Sequence, residues 1–192
     1  MLTQNGGTVM SEELLIRHCS PTLAGMKTGN MFTAPIDSEP QMLRDVQALN
    51  RRLREKGVRI VPLRVRDDRA LLYLYRPTRL KEDLRHETAR RILENCGYRP
   101  EHPGGCISCL RQRMQADADF PHEVGLFLGY PPEDVCGFIE QNAAHYKCVG
   151  CWKVYGDEDR AKRTFAKYRK CTDVYCRQFA AGKTVERLTV AG

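Results

Sequence analysis

The segment FPHEVGLFLGYPPEDVCGFIE, Phe120 to Glu140, constrains the fold more than any other stretch of the chain. Apolar residues recur at helical spacing on both sides of a Gly129-Tyr130-Pro131-Pro132 corner. Glycine accepts backbone conformations that other residues avoid, and a proline pair cannot continue a helix, so two short helices must meet there at a bend. Pro121 suits a first helical position, Asp119 suits its cap, and the His122-Glu123 pair stands at the entrance.

The remaining punctuation is also informative. Residues 1–10, broken by Asn5-Gly6-Gly7, read as a flexible tail, with Met10 an alternative start; residues 11–192 read as a single α+β domain. Ser11 is placed to cap a helix opened by Glu12 and Glu13, where the helix dipole favours negative charge. That helix runs into HCSPTLAGMKTGNMF, where Pro21, Gly25 and Gly29 imply a shaped loop before a strand from Asn30 to Ile36. Ser38 and Gln41 form a capping box for a helix carrying Leu43, Val46, Leu49 and Leu53 and ended by Gly57. Val58 to Val65 and Ala70 to Arg76 alternate around Asp67-Asp68 and predict a β-hairpin. Thr78 is expected to cap one helix through Leu80, Leu84, Ile92 and Leu93 to Gly97. After a loop from Tyr98 to Gly105, Ile107, Leu110 and Met114 suggest another helix. Lys147 to Tyr155 reads as a strand, Asp157 caps a helix through Tyr168, and Thr172 to Ala180 reads as helical. The order predicts an α+β fold: a small mixed or antiparallel sheet of about three to four strands covered by several helices.

A chain that is 42% hydrophobic and 29% charged can bury a core, which excludes wholesale disorder. No apolar run approaches the roughly 18 residues of a membrane helix, so no membrane partner is expected. MLTQNGGTVM lacks the features of an export signal, and a cytoplasmic location is expected. The net charge of +7 permits acidic partners, yet the basic runs Arg51 to Arg69 and Lys162 to Lys170 are interspersed with acids and form no recognition motif. No specific nucleic-acid binding is expected. Nine cysteines, an odd number, without an export signal predict reduced thiols rather than a disulfide framework.

Several groups could carry chemistry. Cys106/Cys109 and Cys148/Cys151 are two CxxC pairs that together could hold zinc. The first pair falls on a predicted helix rather than a knuckle, and no bound metal is expected. His122-Glu123 is not a zinc-protease motif, because Leu126 stands where the second histidine is needed. Gly182-Lys183-Thr184 is not a phosphate loop, because Arg177 occupies the position of its first glycine. His18-Cys19 raises a cysteine-dependent enzyme with Cys19 as nucleophile. Neighbours on a helix point about 100° apart, so the catalytic partner would have to be another histidine, such as His122. Trp152, Tyr73, Tyr75 and Tyr155 read as core aromatics.

Three segments, HCSPTLAGMKTGNMF, the Phe120 block, and GCWKVYGD followed by FAKYRKCTDVY, together resemble the bacterial domain-of-unknown-function family 3793 from about Glu12 to Val190. The resemblance implies a compact cytosolic bacterial protein with the frame Gly150-x-Trp152-Lys153-Val154-Tyr155. It assigns no reaction, cofactor or site residue. The segments direct attention to the junction of the HCSPTLAG loop with the FPHEVGLFLGYPP helix. There His18, Lys27, His122, Glu123, Tyr130 and Lys153 are candidates for binding a small anionic ligand or a protein partner. The cysteine enzyme and a zinc or thiol module built on the CxxC pairs are the alternatives, and the cofactor is unknown.

Overall fold

The structure is a computed structural model that describes residues 11–116 and 120–192. The expected tail, Met10 and the Asp119 cap lie outside the described residues. The fold is α+β. Strands β1 (Gly29–Pro35), β2 (Arg59–Arg66) and β3 (Arg69–Tyr75) form an antiparallel sheet in the order β1-β3-β2. The predicted hairpin turns at Asp67-Asp68, where Asp67 takes a positive φ of 42°. Pro62, which has no N–H for a ladder, sits on edge strand β2, where the pairing with β3 shifts register between Pro62 and Arg64.

Central strand β3 is apolar on both faces because both are covered. Ala70, Leu72 and Leu74 join a core with α1 (Glu12–Leu23), α2 (Glu39–Leu53) and α9 (Val185–Leu188). Leu71 and Tyr73 join a second core, built on α3 (Pro77–Asp83), α4 (Glu87–Asn95), α5 (Pro103–Ala116), α6 (Val124–Phe127) and α7 (Pro132–Glu140). A third, smaller cluster of Trp152, Val154, Ala161 and Phe165 joins the two-stranded hairpin β4 (Cys148–Val149) and β5 (Lys153–Val154) to α8 (Glu158–Ala180). Among the described residues no helix is long and apolar enough to cross a membrane.

Local chemistry explains the boundaries that the sequence marks. Ser38 accepts from the Gln41 amide at 3.4 Å and Asp157 from the Arg160 amide at 2.9 Å, each satisfying an N–H that the first helical turn leaves free. The capping box is half formed, since the Gln41 side chain turns to Asp45.

Several expectations are corrected. Helix α1 runs through Pro21 and ends two residues later, at Leu23; Pro21 leaves the Arg17 carbonyl without its helical N–H donor. The Pro21 carbonyl then accepts from the Met26 and Lys27 amides, so the shaped loop starts later than expected. The helix expected from Thr78 to Gly97 is two, α3 and α4, separated at Leu84–His86. Leu80, Leu84, Ile92 and Leu93 face the same core on both sides of that break, so their spacing gave no sign of it. Gly104 and Gly105, expected in a loop, lie in α5. Pro121 opens a turn rather than a helix, and α6 has four residues. Lys147 to Tyr155 is a hairpin of two-residue strands, not one strand. The two helical stretches after Asp157 are one helix, and α9 is an element that the reading did not foresee.

Arg76 ties the distant segments together. The residue is 3% exposed. It donates to the carbonyls of Thr22 (2.7 Å), Leu23 (2.8 Å), Val190 (2.7 Å) and Lys56 (3.2 Å). It thereby meets the negative end of the α1 dipole and satisfies carbonyls that the helix leaves free. Replacing Arg76 by Met is expected to lower the unfolding free energy by about 3 kcal/mol, since buried carbonyls lose charged donors. Urea denaturation measures this, and Arg76→Lys should recover little because one ammonium cannot span four acceptors. An unchanged urea midpoint for Arg76→Met would show the guanidinium to be replaceable.

Candidate functional site

The two prolines of the corner start α7, and its first turn carries Asp134, which is 3% exposed. One carboxylate oxygen accepts from Trp152 Nε1 at 2.7 Å; the other accepts from the Tyr155 and Gly156 amides, both at 2.7 Å. These bonds fasten the β4–β5 hairpin to α7. Glycines allow the close approach: a Cβ at Gly137 would strike the Tyr155 side chain, and one at Gly150 would strike the Phe165 ring. Trp152 lies between Tyr130, stacked at 4.8 Å, and Phe165, edge-on at 4.5 Å. The Tyr130 hydroxyl donates to the Cys151 carbonyl at 3.0 Å.

Between α6, α7 and this hairpin lies a cavity of about 340 Å³. Val124, Val135, Phe138 and Trp152 make its apolar walls, with His122, Cys151 and Lys153 among its other lining residues. The His122 ring lies 5.4 Å from that of Phe138. Lys153 Nζ donates to the Ala143 carbonyl at 2.8 Å and sits 4.9 Å from the Tyr146 ring. That carbonyl belongs to a loop in which Asn142, Ala143 and His145 all take positive φ. Asp134 is also a lining residue, but its carboxylate is committed to three N–H donors. The cavity therefore combines apolar walls with a cationic side chain and an imidazole.

Lys27 stands behind Tyr130, its Nζ 5.1 Å from the ring centroid. The residue is 6% exposed, and its side chain makes no hydrogen bond or ion pair with a described residue. Burial pushes its ammonium down to about 8, and the thiols of Cys151 and Cys19 oppose that shift. Burial, with smaller contributions from Cys151 and Tyr168, pushes the Tyr130 hydroxyl up to about 12.

His122, Tyr130 and Lys153 thus share one cavity, with Lys27 adjacent. The other candidates lie elsewhere. Cys19 is fully buried in the first core, where burial pushes its thiol far above the ordinary range. His18 is exposed on the outer side of α1, stacked on Phe32 at 6.0 Å. No Cys19–His122 pair forms, and no residue of HCSPTLAG lines the cavity. Glu123 points inward, accepting from the Tyr98 hydroxyl at 2.8 Å and pairing with Arg113 at 2.8 Å.

The zinc alternative is corrected as well, because the two CxxC pairs belong to different parts of the fold. Cys106 is buried on α5, its thiol directed at the Arg99 carbonyl, and Cys109, one turn further along the same helix, is half-buried against the second core. Cys148 is half-buried on β4 against the third cluster, and Cys151 is exposed on the hairpin turn. Cys106, Cys109, Cys148 and Cys151 therefore do not converge on a four-thiolate centre. Among the described residues no three His, Cys, Asp or Glu side chains are arranged to hold a metal ion.

Sequence reasoning missed Asp134. Its signal was an acid closely following a proline pair, in a chain with one tryptophan whose indole needs an acceptor when buried.

A family model described as "Protein of unknown function (DUF3793)" matches residues 15–189. No curated protein matches the chain, and no solved structure does.

Asp134→Asn keeps the shape but presents an amide N–H₂ toward N–H donors. It is expected to cost about 2 kcal/mol and to shift Trp152 emission to the red as water reaches the indole. Fluorescence and urea denaturation check both. Lys27→Met is expected to raise stability by about 2 kcal/mol at pH 7, the charge penalty less the lost contact with Tyr130. The folded value of about 8 lies below the ordinary 10.5, so the unfolded chain holds that proton more tightly. The penalty is complete below pH 8 and fades toward pH 10.5. The difference in urea midpoint between variant and wild type should shrink over that window.

Proposed function

Because the chain belongs to the family described as "Protein of unknown function (DUF3793)", we propose its role from its own site: it binds a small, mainly apolar ligand that carries one anionic group. The observation behind this reading is the cavity of about 340 Å³ whose wall Trp152 is locked by Asp134. Its volume lies within the range of small-molecule sites, and such sites combine apolar walls with a few placed polar groups. Lys153 and His122 supply the complement for the anion, and the saturated Asp134 offers no free acceptor for a cation. The turn after α1 contributes beside the wall, through Lys27 over the Tyr130 ring.

Phe120 is 46% and Val149 63% exposed, and both belong to the cavity lining. They favour a second reading, a protein partner that seats one apolar side chain in the same cavity.

Trp152 is the sole tryptophan and a wall of the site, so its emission reports occupancy. The probes are 8-anilinonaphthalene-1-sulfonate and the uncharged N-phenyl-1-naphthylamine. Both are expected to quench Trp152 saturably with one site. Lys153→Met should weaken the sulfonate about fivefold, the roughly 1 kcal/mol of a part-exposed charge contact, and leave the uncharged probe unchanged. Val124→Phe, which fills the cavity, should abolish both. Quenching that survives Val124→Phe, or no quenching by either probe in the wild type, would overturn the small-ligand reading.

A further inference from the structure

The free edge of strand β2 is closed along only part of its length. Ile60 lies opposite Leu74, and its N–H and C=O turn away from β3 to meet the side-chain amide of Asn50 on α2. That amide accepts from the Ile60 N–H at 2.9 Å and donates to the Ile60 carbonyl at 2.8 Å. On an antiparallel edge the outward residues face every second residue of the neighbouring strand. Pro62, opposite Leu72, is the next, and it has no N–H to offer. The register then shifts between Pro62 and Arg64, which makes Val65, opposite Ala70, the one after. Val65 thus turns an N–H and a C=O outward, and among the described residues no side chain and no backbone beyond the sheet bonds to either.

These two groups belong to a residue that lines a cleft of about 410 Å³ between α2 and α5. Leu43 of α2 and Val65 itself, both exposed, give the cleft apolar surface. Three guanidiniums surround it, those of Arg64, Arg66 and Arg111, against one carboxylate, that of Glu39. Among the described residues none of the three arginines makes an ion pair. Arg64 is held in place, since its Nη1 donates to the Met114 carbonyl at 3.4 Å and its guanidinium lies 5.6 Å from the Phe120 ring centroid. A guanidinium fork matches phosphate oxygens two at a time.

The open edge is one residue long. Asn50 and Pro62 close what precedes it, so it is too short to accept an added strand. It suits a small planar group with a donor beside an acceptor, as the Asn50 amide has at Ile60. We propose that this cleft is a second ligand site, separate from the apolar cavity, for a nucleoside polyphosphate. A base with adjacent donor and acceptor, as in adenine, meets the N–H and C=O of Val65 and lies against Leu43, and the phosphates are held by Arg64, Arg66 and Arg111.

The test titrates the full chain by calorimetry with ATP, with inorganic triphosphate and with adenosine. ATP is expected to bind at one site, about tenfold more tightly than triphosphate, the scale of a hydrogen-bonded base with part of its ring buried. Adenosine should bind more weakly than either. Arg66 and Arg111 are exposed, so Arg66→Gln/Arg111→Gln should keep its fold. It should weaken both phosphates roughly twentyfold, about fivefold for each part-exposed charge contact. Leu43→Ala should weaken ATP about threefold through lost ring contact and leave triphosphate unchanged. In amide NMR spectra the Val65 resonance should move with ATP and adenosine and stay in place with triphosphate. No binding of ATP, ATP binding that survives Arg66→Gln/Arg111→Gln, or triphosphate binding as tightly as ATP would overturn the proposal.

Discussion

A carboxylate taken out of water must recover its hydration from protein donors, and Asp134 does so three times, from one indole and two backbone amides. Much of the region beyond residue 130 depends on this. A hairpin of two-residue strands has too few ladder bonds to persist alone. Fastened through Asp134, it places Trp152 between Tyr130 and Phe165, and Trp152 closes one wall of the cavity. Arg76 applies the same logic with opposite sign, gathering carbonyls from α1, from the turn after α2 and from Val190.

The two buried ions of the site differ in how fully they are answered. Asp134 has a donor for each oxygen and a second for one of them, so it acts as a fixed anchor. Lys27 has an aromatic face and no described acceptor, so its charge remains available to whatever negative group comes near. One ion sets geometry, and the other sets a potential. Asp134 bonds the Trp152 end of the Tyr130–Trp152 stack and Lys27 faces the Tyr130 end, so the stack links the two charges without their pairing with each other.

Features governed by near neighbours were legible in the sequence. Ser38 and Asp157 cap as read because the cap bond spans three residues. The Asp67-Asp68 turn and the apolar β3 follow from turn chemistry and strand patterning. Features fixed at long range were not. The break between α3 and α4 keeps the apolar pattern intact, and the turn inside Lys147–Tyr155 depends on an acid far upstream. Of the candidates drawn from segments resembling the family, His122, Tyr130 and Lys153 line one cavity, whereas Cys19 and Glu123 do not. In each of those pairs, His18-Cys19 and His122-Glu123, adjacent side chains diverge: the histidine faces solvent and its neighbour faces the core. Composition cannot tell which of two neighbours points inward. Spacing misleads in the same way for Cys106/Cys109 and Cys148/Cys151, since two matching pairs say nothing of whether the fold brings them together.

The bonds of α9 and Val190 to α1 also bear on the order in which the protein is made. The Val190 amide donates to Leu23, and Val185 and Leu188 complete the core that α1 and α2 begin. Elements α3 to α7 are contiguous in sequence with the strand that they cover, so that face of the sheet can close while the ribosome is still elongating the chain. The opposite face cannot. Leu15, Ile16, Leu49 and Leu53 emerge early, yet part of their cover lies in α8 and α9, which emerge about a hundred residues or more later. A nascent chain halted within α8 would expose an apolar groove on one side of an otherwise formed sheet, the surface on which a chaperone would act.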